Sequence, residues 1–300
     1  MPITLHPISR RQFIVRSLAA GAAAFALPEL FGKETKTDPH RFALLADTHI
    51  CANRGEVVRG INMTDNLEHV GSELVSLDTT PSSVFILGDL AYLTGESGDY
   101  ATLVALLEKI RAAGLPIHLT LGNHDERDRF WKAIPPKEGA DKPVENRTVA
   151  IIKSKRANLF ILDSLRQTNE TPGFCGEVQL KWLAAALDAH ADKPAITMIH
   201  HNFDGGQNVS GLVDTKALLD VILPRKHVKA HFFGHTHDWH VTVNEGLHLV
   251  NLPPTAYVFA KGRPNGWVDM KLENDSARLE LHTIDPTHAD NHQQKQLAWR

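Results

Sequence analysis

From Arg41 onward, short apolar runs alternate with stretches in which apolar residues recur every three or four positions. Five runs are almost continuously apolar: Phe42–Ala46, Ser83–Leu87, Ile117–Leu121, Ala195–Ile199 and Lys229–Phe233. Continuous rather than alternating hydrophobicity predicts strands covered on both faces. The intervening spacing predicts helices. Leu67, Val70, Leu74 and Leu77 share one face of Thr64–Leu77. Leu103, Leu106, Leu107 and Ile110 do so in Tyr100–Ala112, and Leu180, Leu183 and Leu187 in Glu177–Ala189. Strand alternating with helix indicates an α/β layered domain with a largely parallel sheet. A second set of strands is expected at Thr148–Ile152, Leu159–Leu162, His240–Val243, Leu247–Leu252, Trp267–Leu272 and Arg278–His282. The last two flank Glu273-Asn274-Asp275-Ser276, a composition suited to a hairpin turn. No repeat of solenoid period is visible.

Composition narrows the class. Of the 300 residues, 42% are hydrophobic and 22% charged, which excludes a wholly disordered chain or a coiled coil. The formal net charge of −3 gives no basic excess of the kind a dedicated nucleic-acid binder carries. Two cysteines exclude a disulfide scaffold and a four-cysteine zinc site. Cys51 and Cys175 are read as unpaired. Histidine is the exceptional residue, with 18 copies.

The N-terminus has the order of an export signal: a charged region, a short apolar stretch and a small-residue site. Ser9-Arg10-Arg11-Gln12-Phe13 resembles the bacterial twin-arginine signal, and Ala24-Phe25-Ala26 offers a cleavage site. The apolar stretch contains Arg16 and Gly21 and falls short of a comfortable membrane span. The expected organisation is a signal over 1–26, a polar linker over 27–40, one catalytic domain over 41–285 and a flexible tail over 286–300. The expected partner is the twin-arginine export machinery, and the expected location is periplasmic or secreted, with no stable membrane span after cleavage.

Each of the five core strands runs into a polar cluster at its C-terminal end. The clusters are Asp47-Thr48-His49, Gly88-Asp89, Gly122-Asn123-His124-Asp125, His200-His201 and Gly234-His235-Thr236-His237. In open α/β sheets, sites form beyond the carboxyl ends of strands, so these five segments are expected to converge. Asp47 and His49, like His235 and His237, are two apart and would share a side on extended backbone. Imidazole, carboxylate and amide oxygen suit Zn, Fe, Mn or Co. Asp47, His49, Asp89, Asn123, His200, His235 and His237 are too many ligands for one tetrahedral ion and suit two, with Asp89 able to bridge. Two divalent ions would outweigh two carboxylates, leaving a positive site that attracts an anion such as a phosphate ester.

All five blocks, in this order, resemble the calcineurin-like metallophosphoesterases, whose pattern is Asp-x-His, Gly-Asp, Gly-Asn-His-Asp/Glu, a strand-terminal His and Gly-His-x-His. The resemblance covers roughly Phe42 to His237. It implies a four-layer α/β/β/α sandwich of two mixed sheets flanked by helices. It also implies an enzyme with two divalent or trivalent ions, Fe, Mn, Zn or Co. Asp47, His49, Asp89 and His237 would hold the first ion, and Asp89, Asn123, His200 and His235 the second. Attack would come from a metal-bridging hydroxide. His124 would assist the leaving group with Asp125 orienting its ring, and Asn123, His124 and His201 would contact a small-molecule phosphate ester. The Asp-x-His type is similar to bacterial phosphodiesterases, which favours diesters over monoesters. Tyr92, three residues past Asp89, matches purple acid phosphatases instead, but those lack a histidine at the place of His49.

A rival of another class is a non-catalytic, histidine-rich metal-binding protein of the cell envelope, with stoichiometry spread over many residues. A purple-acid-phosphatase-like phosphomonoesterase is a further alternative. His201 and His240 stand either beside the ligands or as exposed side chains. His6, His40, His69, His118, His190, His227, His248, His282, His288 and His292 are read as packed or solvated residues, and His231 as a core residue. Gly205-Gly206-Gln207-Asn208 is expected to be a loop over the site.

Overall fold

Alternate side chains of Phe42–Ala46 enter different cores. Phe42, Leu44 and Ala46 pack with Phe85, Leu87, Ile196, Met198, Ala230 and Phe232. Ala43 and Leu45 pack instead with Val84, Ile86 and a helical face made of Leu67, Val70, Leu74, Leu103 and Leu107. A continuously apolar strand is thus read out as two half-patterns, one per face.

The structure, a computed structural model, describes residues 3–9, 11–13, 36–137, 139, 141–204 and 210–300. Most of the expected export signal, Arg10 included, the segment 27–35 and the Gly205–Asn208 loop lie outside the described residues. In chain order the elements are β1 (Ile3–Leu5), β2 (Lys36–Leu45), β3 (Val57–Val58), β4 (Ile61–Asn62), α1 (Met63–Ser76), β5 (Thr79–Leu87), α2 (Ser97–Ala112), β6 (Ile117–Thr120) and α3 (Arg127–Ala133). Then follow β7 (Ala150–Lys153), β8 (Asn158–Ile161), α4 (Glu177–Ala189), β9 (Ala195–Met198), α5 (Thr215–Ile222), β10 (Val228–Phe233), β11 (His240–Asn244), β12 (Leu247–Asn251), β13 (Gly266–Leu272), β14 (Ser276–Thr283) and β15 (Gln294–Ala298).

Two mixed sheets face each other. One has seven strands in the order β1-β6-β5-β2-β13-β14-β15, the other six in the order β11-β12-β10-β9-β8-β7. Helices α1 to α3 cover the outer face of the first sheet. Helices α4 and α5 cover the second through Leu180, Leu183, Leu187, Leu218 and Ile222. The five core strands therefore do not share one largely parallel sheet. β2, β5 and β6 run parallel in the first sheet, and β9 and β10 run parallel in the second. Apolar patterning reports burial, and does not report which neighbour a strand chooses.

The helix starts follow local chemistry. Asn62 caps α1, its side chain accepting from Thr64 N at 2.9 Å and Asp65 N at 3.2 Å. Glu96 and Asp99 form a capping box on α2. Glu126 Oε2 accepts from Arg129 N at 2.7 Å and starts α3 immediately after Asp125. Helices α3 and α5 escape the spacing argument because they bury only Phe130, and only Leu218 and Ile222, respectively.

Several boundaries change. Residues 36–40, expected as linker, extend β2 and pair with β5 from Lys36 opposite Thr79. The tail is not frayed. Gln294–Ala298 forms an edge strand on β14, because Leu297 reaches the core between the sheets while its neighbours Gln296 and Ala298 are exposed. Within the expected signal, Ile3–Leu5 pairs antiparallel with β6. No described helix is long and apolar enough to cross a membrane.

Candidate metal centre

The C-terminal ends of β2, β5, β6, β9 and β10 meet at one rim of the sandwich. Asp47 N donates to Gly88 O at 3.1 Å, and His49 N to Asp89 O at 2.9 Å. His124 N donates to Asp89 Oδ1 at 2.9 Å. Between the sheets, His235 N donates to Asp47 Oδ2 at 3.1 Å. All seven expected ligands are thereby gathered, and Asp47, His49, Asp89, Asn123, His200 and His237 are at most 3% exposed.

The ligand pairs do not lie on extended backbone. Asp47, His49, Asp89, His235 and His237 all adopt positive φ, between 46° and 70°. Non-glycine residues there cost about 1–3 kcal/mol each and persist where their surroundings dictate them. Two glycines explain the close approach. A Cβ on Gly122 would lie 2.2 Å from Asp89 Oδ1, and one on Gly234 would lie 2.5 Å from Asp47 Oδ2.

Ring orientation follows from hydrogen bonds to carbonyls, which can only accept. His200 Nδ1 donates to Leu87 O at 2.8 Å, and His237 Nδ1 to Tyr257 O at 2.5 Å. Their Nε2 atoms are left facing inward. His200 Nε2 stands 3.3 Å from Asp89 Oδ2. His237 Nε2 stands 3.5 Å from Asp47 Oδ1 and 3.0 Å from His49 Nε2. Asn123 Oδ1 is buried and forms no hydrogen bond. Donor atoms fall within 4.8 Å of one another in the groups Asp47–His49–His237, Asp47–Asp89–His200 and His200–His201–His235.

The electrostatics suit cations. Burial pushes His49 well below its usual range, His235 down to about 3 and His237 down to about 4. These rings stay neutral near pH 7 and keep their lone pairs. Burial opposes charge on His200 too, but Asp89 and Asp47 raise it to about 9. Burial likewise opposes the Asp89 charge, yet His200 and His49 hold that carboxyl well below the usual range. Burial and the neighbouring Asp89 carboxylate raise Asp47. The unpartnered buried oxygen of Asn123, the neutral imidazoles and two close carboxylates fit divalent ions, which Asp47, His49, Asp89, Asn123, His200, His235 and His237 would hold.

Two sequence assignments change. Asp125 does not orient His124. Its carboxylate accepts from Leu90 N, Ala91 N, Gly122 N and Tyr100 Oη, at 2.9–3.2 Å, and so ties the Asp89 turn to the Asn123 turn. The His124 ring is set by Leu93 O, 2.8 Å from Nδ1. His201 is no exposed alternative. It is fully buried, its Nδ1 is 2.7 Å from Ser164 Oγ and its Nε2 is unpartnered beside His235. His240 lies on the exposed side of β11, with Asp238 Oδ2 3.7 Å from its Nδ1. Tyr92 packs against the apolar cluster of the first sheet. Cys51 and Cys175 are unbonded.

Three residues beside the centre carry no sequence signal. Tyr257 stacks on His49 with ring centroids 5.2 Å apart, and Phe259 on His237 at 4.1 Å. The Arg59 guanidinium lies 5.3 Å from the Phe259 ring centroid. Phe259 is 55% exposed, so an apolar ring and a cation border the site at the surface.

Residues 40–239 match the calcineurin-like phosphoesterase family. A protein of Rhodopseudomonas palustris named "Probable cyclic nucleotide phosphodiesterase" is 30% identical over 203 residues, 66% of this chain and 71% of its own. The 3′,5′-cyclic adenosine monophosphate phosphodiesterase of Pseudomonas aeruginosa is 25% identical over 242 residues, 79% of this chain and 84% of its own. The crystal structure of a dimetal phosphatase from Danio rerio superposes with a TM-score of 0.67 at 15% identity, over 88% of this chain and 100% of that one, which shows the shared fold. The chain belongs to the calcineurin-like phosphoesterase family and is a metal-dependent phosphoester hydrolase.

Proposed function

We propose that the chain hydrolyses phosphodiesters at the Asp89-centred cluster, with 3′,5′-cyclic nucleotides as the favoured class. The observation that carries this reading is the cluster of buried ligand-type atoms, the unpartnered Asn123 Oδ1 and the inward-facing Nε2 atoms of His200 and His237, gathered around Asp89 and Asp47 next to the partly open His124. The names of the similar bacterial proteins support the diester class. Asp47, His49, Asp89 and His237 would hold one ion, and Asp89, Asn123, His200 and His235 the other. Bound, the two ions supply Lewis acidity and lower the pKa of water.

The remaining work falls to the chain. The Nδ1 proton of His124 is committed to Leu93 O. In the imidazolium form its Nε2 carries the second proton, which it gives to the leaving oxygen. Asp125 fixes the two turns that carry Asp89 and His124. Phe259 and Arg59 offer a ring face and a positive charge, which match a planar base attached to an anion.

The test is a panel of phosphomonoesters, linear and cyclic diesters and pyrophosphates, offered to full chain reconstituted with Mn, Co, Zn or Fe. Cyclic diesters are expected to be turned over fastest. Monoesters outpacing all diesters tenfold would replace this reading with a phosphomonoesterase. Export by the twin-arginine route belongs to the proposal and is supported by Arg10-Arg11-Gln12-Phe13 and the alanine-rich run after it. An Arg10→Lys, Arg11→Lys double variant should stay in the cytoplasmic fraction; unchanged export would contradict the route.

A further inference from the structure

A second group of metal-type ligands lies on the outer face of the first sheet and shares no residue with the Asp89 cluster. Glu280 and His282 are two apart on β14 and so point to the same face. His292, from the β14–β15 connection, folds back over them. Its Nδ1 lies 3.0 Å from Glu280 Oε1, and His282 Nε2 lies 3.8 Å from the same oxygen. The three donor atoms all fall within 4.8 Å of one another.

The orientation of His282 is what makes this more than a surface ion pair. Its Nδ1 is 2.7 Å from Glu73 Oε1 on α1. A carboxylate accepts, so Nδ1 carries the proton and Nε2 presents a lone pair when the ring is neutral. That Nε2 is buried and has no hydrogen-bond partner, in a residue 8% exposed. Glu73 Oε2 also accepts from Trp267 Nε1 at 2.9 Å, and the Trp267 ring stacks on His282 at 4.2 Å. The ring is therefore fixed with Nε2 facing a carboxylate oxygen, Glu280 Oε1, 3.8 Å away. Glu280 is fixed too. Its Oε2 accepts from Gln294 Nε2 at 2.8 Å and Arg278 at 3.2 Å, which leaves Oε1 for the cluster. A carboxylate that orients a ligating imidazole is the usual support of a metal-bound histidine.

We propose that Glu280, His282 and His292 form a further metal site, for one borderline divalent cation of the Zn²⁺ type. Ligands at 2.0–2.1 Å in tetrahedral array stand about 3.3 Å apart. The observed 3.0 Å and 3.8 Å separations bracket that spacing. Two imidazoles and one carboxylate leave a fourth position on the exposed His292 side, for water. The ion would join the β14–β15 connection to β14 and, through His282, to Glu73 of α1. Its role is to hold the edge strand rather than to turn over substrate.

The test compares zinc binding by the full chain with that of His292→Ala and Glu280→Gln. Any zinc taken by the Asp89 centre is common to all three proteins, so the difference isolates the new site. The wild-type chain is expected to bind one equivalent more than either variant. Its melting temperature should rise with zinc by more than that of His292→Ala, and phosphodiester turnover should agree within twofold. His292 is exposed, so its loss leaves the core intact. Equal zinc equivalents in the wild-type chain and His292→Ala would overturn the site and leave only a histidine–glutamate ion pair.

Discussion

His49 Nε2 and His237 Nε2 face one another across 3.0 Å in the interior of the protein, between the carboxylates of Asp89 and Asp47. Because His237 Nδ1 donates to Tyr257 O, its Nε2 bears no proton in the neutral ring. Burial holds both rings neutral near pH 7. A cation held by both imidazoles would satisfy them together. His237→Ala should therefore lose one metal equivalent and lower turnover at least about 100-fold, on the scale of losing one electrostatic stabiliser of the transition state. Elemental analysis and initial rates check this together.

His124 and Asp125 are neighbours with separable duties. His124→Ala should retain metal and lower turnover by about 10²–10⁴-fold, the usual contribution of a positioned acid. Asp125→Ala strands three buried backbone donors and the Tyr100 hydroxyl. It should destabilise the fold by about 3 kcal/mol or more, seen as a lower denaturant midpoint.

Phe259 stacks on His237 and is open to solvent, but offers no group for chemistry. If it receives the base of a cyclic nucleotide, Phe259→Ala should raise KM about 5- to 100-fold and change kcat little, as expected for loss of one stacking contact. An equal loss with a small, base-free diester would argue against that role.

His231 sets an acid limit on stability. It is buried, bonded to Thr197 Oγ1 at 2.8 Å and stacked on Phe203, and burial lowers it to about 3. The unfolded chain takes up a proton near pH 6.5 that the folded chain refuses until about pH 3. Stability attributable to this group is thus present above pH 6.5 and falls as pH drops through that window, by up to about 1.4 kcal/mol per pH unit. His231→Gln should show a shallower loss of unfolding free energy between pH 6 and pH 4.

The convergence of five polar clusters is legible in the sequence because each is local: an apolar run followed at once by a polar residue. The partition of those strands between two sheets is not, since pairing of β2 with β13 joins residues more than 200 positions apart. The bonds of Asp125 escape the sequence for the same reason, reaching back to Leu90, Ala91 and Tyr100 rather than to its sequence neighbour. The fixed ring of His282 carries no sequence signal because Glu73, which orients it, lies on a different element. Tyr257, Phe259 and Arg59 come from connections whose spacing carries no pattern.

On the proposed function, Asp89 would help to hold both ions of a dinuclear centre at which the ester is hydrolysed. The most direct measurement is metal content and phosphodiester turnover, made side by side on the wild-type chain and Asp89→Ala. The account predicts that the variant loses two metal equivalents and its turnover together. An Asp89→Ala chain that keeps its metal and hydrolyses diesters at the wild-type rate would contradict it.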